Sequence, residues 1–202
     1  MIETIRTILD RPFYYDLFNI VIGANHLRNV LVNEYIRPAS SDQILDIGCG
    51  SGNMVPFLPE GKYIGVDANP SYIASARQRY GYRGEFICDH VAGMRTEQFG
   101  TFQIVLALGL LHHLDDTEAS ELFRIAFHLL KPAGRLISID ICITPSQGFL
   151  ERYLLGRDRG RFVRNESQYT ALARTCFQDV TPYVRKGLLR LPYTHLIMEC
   201  VR

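Results

Sequence analysis

Apolar residues recur at helical spacing over roughly the first 37 positions, as Ile5, Ile8 and Leu9, then Leu17, Ile20 and Val21, then Leu27, Val30 and Leu31. The pattern predicts two or three amphipathic helices, divided at Pro12 and Gly23. Beyond the polar connection Pro38 to Asp42 the period changes. Short runs at Ile44 to Ile47, Tyr63 to Val66, Glu85 to Cys88, Phe102 to Leu108 and Arg135 to Ile139 have the length and continuity of strands covered on both faces. A helix is expected straight after the first strand, kept short by Pro56 and Pro59. Helical spacing returns over Ser71 to Tyr80 and over Thr117 to Leu130, the latter opening near Asp115 or Asp116 and stopped by Lys131-Pro132-Ala133-Gly134. A helix over Ala171 to Cys176, capped by Ser167, precedes two apolar strands, Val180 to Val184 and His195 to Val201, which close the chain as an antiparallel pair. Strands alternating with helices predict an α/β fold around a mostly parallel sheet.

Composition narrows this picture. The chain has 202 residues, 47% of them hydrophobic, enough for one α/β domain with a two-sided core. A formal net charge of +1 gives no global attraction to nucleic acid or to an anionic membrane. Five dispersed cysteines without CxxC pairs read as reduced, packed residues of a cytoplasmic protein and not as metal ligands. The charged residues near the N-terminus fit neither a signal peptide nor a membrane span.

The chemistry gathers around Ile44 to Asn53, ILDIGCGSGN. Gly48, Gly50 and Gly52 let the backbone bend tightly and approach a ligand, with amides of the next helix facing it. A dinucleotide turn would need a glycine where Asn53 stands. With Asp46 two residues ahead of the first glycine, the stretch resembles motif I of the class I S-adenosylmethionine-dependent methyltransferases. The resemblance implies donor contacts from Asp46, Gly48, Cys49, Gly50 and Gly52. YIGVD resembles the second signature, making Asp67, followed by Ala68, the ribose acid; the alternative is a helix cap, a role Asn69 or Ser71 fills equally well. Asp89 takes the place of the acid that holds the adenine amino group, with His90 beside it, and Leu108 ends the fourth strand at the donor.

Gly109 to Asp116, GLLHHLDD, resembles the fourth motif of enzymes acting on small molecules, and the motifs of the DNA-amine and cytosine-C5 enzymes are absent. His112 and His113 are candidate bases where the methyl group should point, or else helix caps. By analogy with phosphobase methyltransferases, His113 would pair with Tyr14 or Tyr15, which otherwise staple the N-terminal helices to the core. LLKPAGRLISID resembles the signature before the fifth strand and puts Asp140 at the ligand edge.

Residues 144–168 form an insertion with Arg152, Arg157, Arg159, Arg161 and Arg164. These suit a phosphate- or carboxylate-bearing acceptor, or pair with Glu151, Asp158 and Glu166 on a solvated helix. The expectation is a seven-stranded Rossmann-like methyltransferase sheet with helices on both faces and the last strand inserted antiparallel beside the fifth. Residues 1–40 form a helical cover, 41–143 the cofactor-binding core, 144–168 the insertion and 169–202 the closing helix and hairpin. The implied activity is methyl transfer from S-adenosylmethionine to an O, N or C nucleophile of a small metabolite, without a metal. An RNA methyltransferase, a non-catalytic protein keeping the fold and a nicotinamide-dependent oxidoreductase are the alternatives.

Overall fold

Phe102–Leu108 (β4) lies in the middle of the sheet because both of its faces are apolar. Val105 and Ala107 point into one core layer, and Ile104 and Leu106 into the other. The computed structural model describes residues 12–94, 96, 99–157 and 160–202. The helix expected around Ile5 and Leu9 lies outside the described residues, as do Asp158 and Arg159. Helices Pro12–Val21 (α1) and Ala24–Val30 (α2) lead into a π-helical turn, Leu31–Ile36, closed by the Arg37 N–H on the Val32 carbonyl at 2.8 Å. Ile44–Ile47 (β1), Tyr63–Asp67 (β2), Glu85–Cys88 (β3) and β4 are parallel, with Pro70–Tyr80 (α3) crossing between β2 and β3. Asp116–Leu129 (α4) returns the chain to Leu130–Ile143 (β5), parallel to β4. Phe149–Leu155 (α5), Arg164–Asn165 (β6) and Glu166–Ala173 (α6) precede the antiparallel strands Asp179–Lys186 (β7) and Thr194–Val201 (β8).

The sheet order among the described residues is β3-β2-β1-β4-β5-β8-β7, so the last strand does lie antiparallel between the fifth and its hairpin partner. An eighth short strand, β6, is added to the expected seven, pairing with the end of β5. One core layer packs α4 and α6 through Leu122, Phe123, Tyr169 and Phe177; the other packs the N-terminal helices and α3 through Leu31, Ile36 and Ile73.

Local expectations fail where a nearby hydrogen bond outcompetes propensity. No α-helix follows the glycine turn, only a 3₁₀ turn, Val55–Phe57. Pro56 and Pro59 withhold the amide donors an α-helix needs there. The amides of a helix start are therefore not what faces a ligand at this turn. Lys131 to Gly134 lies inside β5, where Ala133 takes φ 60° and its N–H reaches the Arg202 carbonyl at 3.0 Å. Leu130, already extended, ends α4. Asn165, not Ser167, caps α6: its side chain accepts from the Gln168 N–H, and Gln168 returns a bond to the Asn165 N–H. The helix accordingly starts five residues earlier than the apolar spacing suggests.

Arg164 binds the insertion to the sheet edge. Buried to 6% exposure, it donates to the Leu111 and Leu114 carbonyls at 3.0 and 2.8 Å and pairs with Asp116 at 2.7 Å. Arg164→Ala removes the guanidinium donor from both carbonyls, leaving Leu111 only the Leu114 N–H, and the expected loss is about 1–3 kcal/mol. In a chain of this size that lowers Tm by roughly 2–12 °C. Arg164→Lys is expected to recover only part, since one ammonium cannot span the fork's acceptors. An unchanged calorimetric Tm for the alanine variant would refute this clamp.

Candidate active site

The three glycines of the turn after β1 bring no side chains, so backbone bonds do much to shape it. Gly48, Gly50 and Gly52 all take positive φ, at 78°, 56° and 78°. The Gly48 and Cys49 N–H groups both donate to the Val66 carbonyl, at 2.7 and 3.0 Å. Asp67, at the end of β2, accepts from the Gly50 N–H at 2.9 Å and from the Asn69 N–H at 2.8 Å. The cap of α3 is Asn69, whose side chain accepts from the Ser71 and Tyr72 N–H groups. Asp67 is thus the brace of the glycine turn. Burial raises its pKa, against the lowering pull of those two bonds and of His90.

Two cavities meet at Gly48. The smaller, about 140 Å³, is lined by Asp67, Ala68, Asp89, His90, Val91 and Leu110 among others. Asp89 accepts there from the His90 N–H at 2.8 Å. A Cβ on Gly48 would stand 3.0 Å from Leu110 Cδ2, so a side chain at this shared wall position would crowd Leu110. Gly50 and Gly52 line neither cavity. Gly50 supplies the bond to Asp67, and Gly52 packs against Tyr80 and Phe86.

The larger cavity, about 240 Å³, has mostly apolar walls, with Asp46, Cys49, Leu108, His112 and Asp140 among its lining residues. Tyr63 donates its hydroxyl to Asp46 Oδ2 at 2.8 Å, while Asp46 Oδ1 is buried with no partner. Desolvation, offset in part by Tyr63, pushes the Asp46 carboxyl up to about 7. Cys49 sits against Gly65, where a Cβ would fall 2.8 Å from its sulfur, and burial pushes its thiol far up, which makes it packing and not a nucleophile. Across the sheet edge, Asp140 Oδ1 receives the His112 N–H at 3.1 Å and faces ring Nδ1 at 2.7 Å, assigning the ring proton to Nδ1. Asp140 Oδ2 has no partner, and burial raises this carboxyl while His112 pulls it down.

His112 and His113 therefore separate. His112 lines the cavity; His113 is exposed, tilted against His112 with ring centroids 4.1 Å apart, and lines neither cavity. Tyr14 is exposed and also lines neither, while the Tyr15 side chain lies outside the described residues. What α1 and α2 bring to the wall instead is Asn19, Ile22 and Arg28, with Arg28 donating to Asn19 at 3.1 Å and Asn25 at 2.9 Å. The described arginines of the insertion do not line the cavity. Arg157 lies over the Tyr153 ring at 4.4 Å and Arg164 forms the clamp described above. Glu151, offered as an arginine partner, is buried and accepts from Gln147 and Thr194. The insertion instead covers His112: the Phe162 N–H reaches the His112 carbonyl at 3.0 Å, and a Cβ on Gly160 would fall 2.1 Å from His112 Cδ2. Tyr193 and His195 complete the wall from the β8 side. Neither belongs to a motif, and His195, within the final strand, reads from the sequence as structural. Among the described residues no group of three or more His, Cys, Asp or Glu could hold a metal, and no helix is long and apolar enough to cross a membrane.

Residues 44–134 match the family model described as "Methyltransferase domain". The chain is 26% identical over 144 residues to the phosphoethanolamine N-methyltransferase of Triticum aestivum, covering 68% of this chain and 28% of that protein. It is 28% identical over 127 residues to the ubiquinone biosynthesis O-methyltransferase of Xanthomonas axonopodis pv. citri, covering 60% of this chain and 52% of the relative. The chain thus spans about a quarter to a half of the length of these curated relatives. Its fold resembles that of Haemonchus contortus phosphoethanolamine N-methyltransferase 2, solved with phosphomonomethylethanolamine and S-adenosylhomocysteine, at TM-score 0.69 and 17% identity over 87% of this chain and 52% of that one.

The raised Asp46 pKa has a direct consequence for stability. Between the unfolded value of 3.8 and about 7 the folded state holds more protons, so this group's contribution falls as pH rises through that window. Asp46→Asn is expected to match the wild-type Tm near pH 4 and to exceed it by several degrees at pH 8, at about 2–4 °C per kcal/mol. A variant less stable than wild type at pH 8 in a thermal melt would contradict the desolvated carboxyl.

Proposed function

We propose that the protein, whose residues 44–134 match a methyltransferase domain, belongs to the class I S-adenosylmethionine-dependent enzymes and moves a methyl group from S-adenosylmethionine to an oxygen, nitrogen or carbon nucleophile of a small molecule. One observation carries the reading: Asp46, whose Oδ1 is buried without a partner, lines the cavity that shares Gly48 with the Asp67 cavity. An ammonium group is what such an oxygen lacks. Asp46 would take the donor's ammonium, Asp67 its ribose hydroxyls through its remaining lone pairs, and Asp89 with His90 its adenine. Arg28 is the cation suited to the methionine carboxylate.

The donor supplies a methyl group already activated by its sulfonium. What the chain contributes is alignment and exclusion of water, with apolar walls at Leu108 and Ile139. Where the acceptor must lose a proton, His112 is the base. Asp140 holds its Nδ1, so proton exchange runs through Nε2, and the same carboxylate stabilises the charged ring. His113 and Tyr14, both outside the cavity wall, are not assigned a role in the chemistry.

Isothermal titration and thermal shift with S-adenosylmethionine, S-adenosylhomocysteine and NADH test this directly. Both adenosyl ligands at about 100 times Kd are expected to add about 2.7 kcal/mol, a rise of roughly 5–11 °C, with none from NADH. Asp67→Ala is expected to weaken them at least about tenfold. Because the ammonium requires ionised Asp46, their affinity is expected to fall as pH drops below about 7. Stabilisation by NADH alone would sink the reading; a protein that binds both donors but never turns over would be the non-catalytic alternative.

A further inference from the structure

Helix α5 turns the apolar side of the insertion outward. Phe149 is 87% exposed, Leu150 58% and Tyr153 47%. Phe149 and Tyr153 stand one turn apart with Leu150 beside them, so the three share one face of the helix. The opposite face holds Glu151, which is buried and accepts from Gln147 and Thr194. Single apolar side chains scattered over a surface are ordinary, but three on one helical face, one of them a nearly bare phenylalanine, mark a contact surface.

The charges around that face choose its partner. Arg152 and Arg157 are exposed on the helix and just after it, and Arg161, also exposed, follows in the same insertion. Arg157 lies over the Tyr153 ring at 4.4 Å, which sets a cation against the apolar face itself. Among the described residues from Gly148 to Asn165 the one acid is Glu151, and it is turned inward. Although the net charge of the whole chain is only +1, the described insertion therefore presents apolar side chains and arginines together, with no exposed carboxylate of its own. We propose that α5 docks on the surface of a lipid bilayer that contains anionic headgroups. Phe149 and Leu150 enter the boundary of the acyl chains, Tyr153 stays at headgroup level, and Arg152 and Arg157 meet the lipid phosphates. A second copy of the chain presenting the same face would set these arginines against one another, a like-charge contact that opposes pairing. The docked helix is tied to the site, because Thr194, the donor to Glu151, stands between Tyr193 and His195 of the larger cavity's wall. Docking through α5 holds that wall beside the membrane surface.

Flotation of the full chain with vesicles tests the surface, and it does not depend on the donor reading. The two vesicles are phosphatidylcholine alone and an equal mixture of phosphatidylcholine and phosphatidylglycerol. Binding to the mixture is expected to be at least about tenfold tighter than to phosphatidylcholine alone, and to weaken at least about tenfold in about 0.5 M salt. Phe149→Ser is expected to weaken it at least about tenfold, and Arg152→Gln and Arg157→Gln about fivefold each. Tm is expected to stay at the wild-type value in all three variants, since the side chains removed are exposed. Absence of binding, equal binding to the two vesicles, or wild-type binding by Phe149→Ser or by the combined arginine variant overturns the proposal. So does a lowered Tm in Phe149→Ser, which would make Phe149 a packing residue. A dimer in sedimentation analysis that Phe149→Ser dissociates also overturns it, and gives the face to a second copy of the chain.

Discussion

The hydrogen bonds that converge on Asp67 fix the geometry on which the rest of the site depends. A turn with three glycines at positive φ has wide conformational freedom at those positions. Two backbone donors, Gly50 and Asn69, meet one carboxylate at the end of β2 and remove that freedom. The same bonds tie β1, β2 and the start of α3 together. With the turn held, Gly48 stays under Leu110 as the residue both cavities share. Packing alone would not do this, because the glycines offer nothing to pack.

A second constraint comes from the sheet. Parallel strands buried on both faces end abruptly at one edge, and polar groups at those ends must be bonded or face a ligand. Asp46, near the end of β1, and Asp140, just past the stretch of β5 that pairs with β4, each have one oxygen bonded within the chain and one without a partner. Desolvation raises both carboxyls, so the free protein holds them at a cost in stability that a bound cation or hydrogen-bond donor would relieve. Tyr63 and His112 set which oxygen is left over, and that choice gives the cavity its direction.

The insertion works as structure at this edge. Arg164 satisfies the carbonyls around the His112 turn, and Gly160 lets the backbone lie flat on the imidazole. With its Nδ1 on Asp140 and its ring face covered, His112 is confined in orientation. His113, its neighbour in sequence, is exposed and leans on the His112 ring. The difference between two adjacent histidines is therefore made by residues about 30 and 50 positions away, whereas the family analogy available along the chain favours His113.

By itself the sequence determined the parallel strands, the glycine turn, the acids Asp46 and Asp67 and the antiparallel closing pair. Those features depend on short-range periodicity and on spacing along one segment, which survive in any compact arrangement. The short helix expected after the turn gave way to a 3₁₀ turn because two prolines withheld donors, and the last helix began early because Asn165 and Gln168 bond each other. Tertiary structure alone decided which histidine reaches the cavity, that the insertion's described arginines stay off its wall, and that His195 and Arg28 join it. Each of these turns on side chains brought together from strands or helices far apart in the chain, and a linear pattern contains no distance between them.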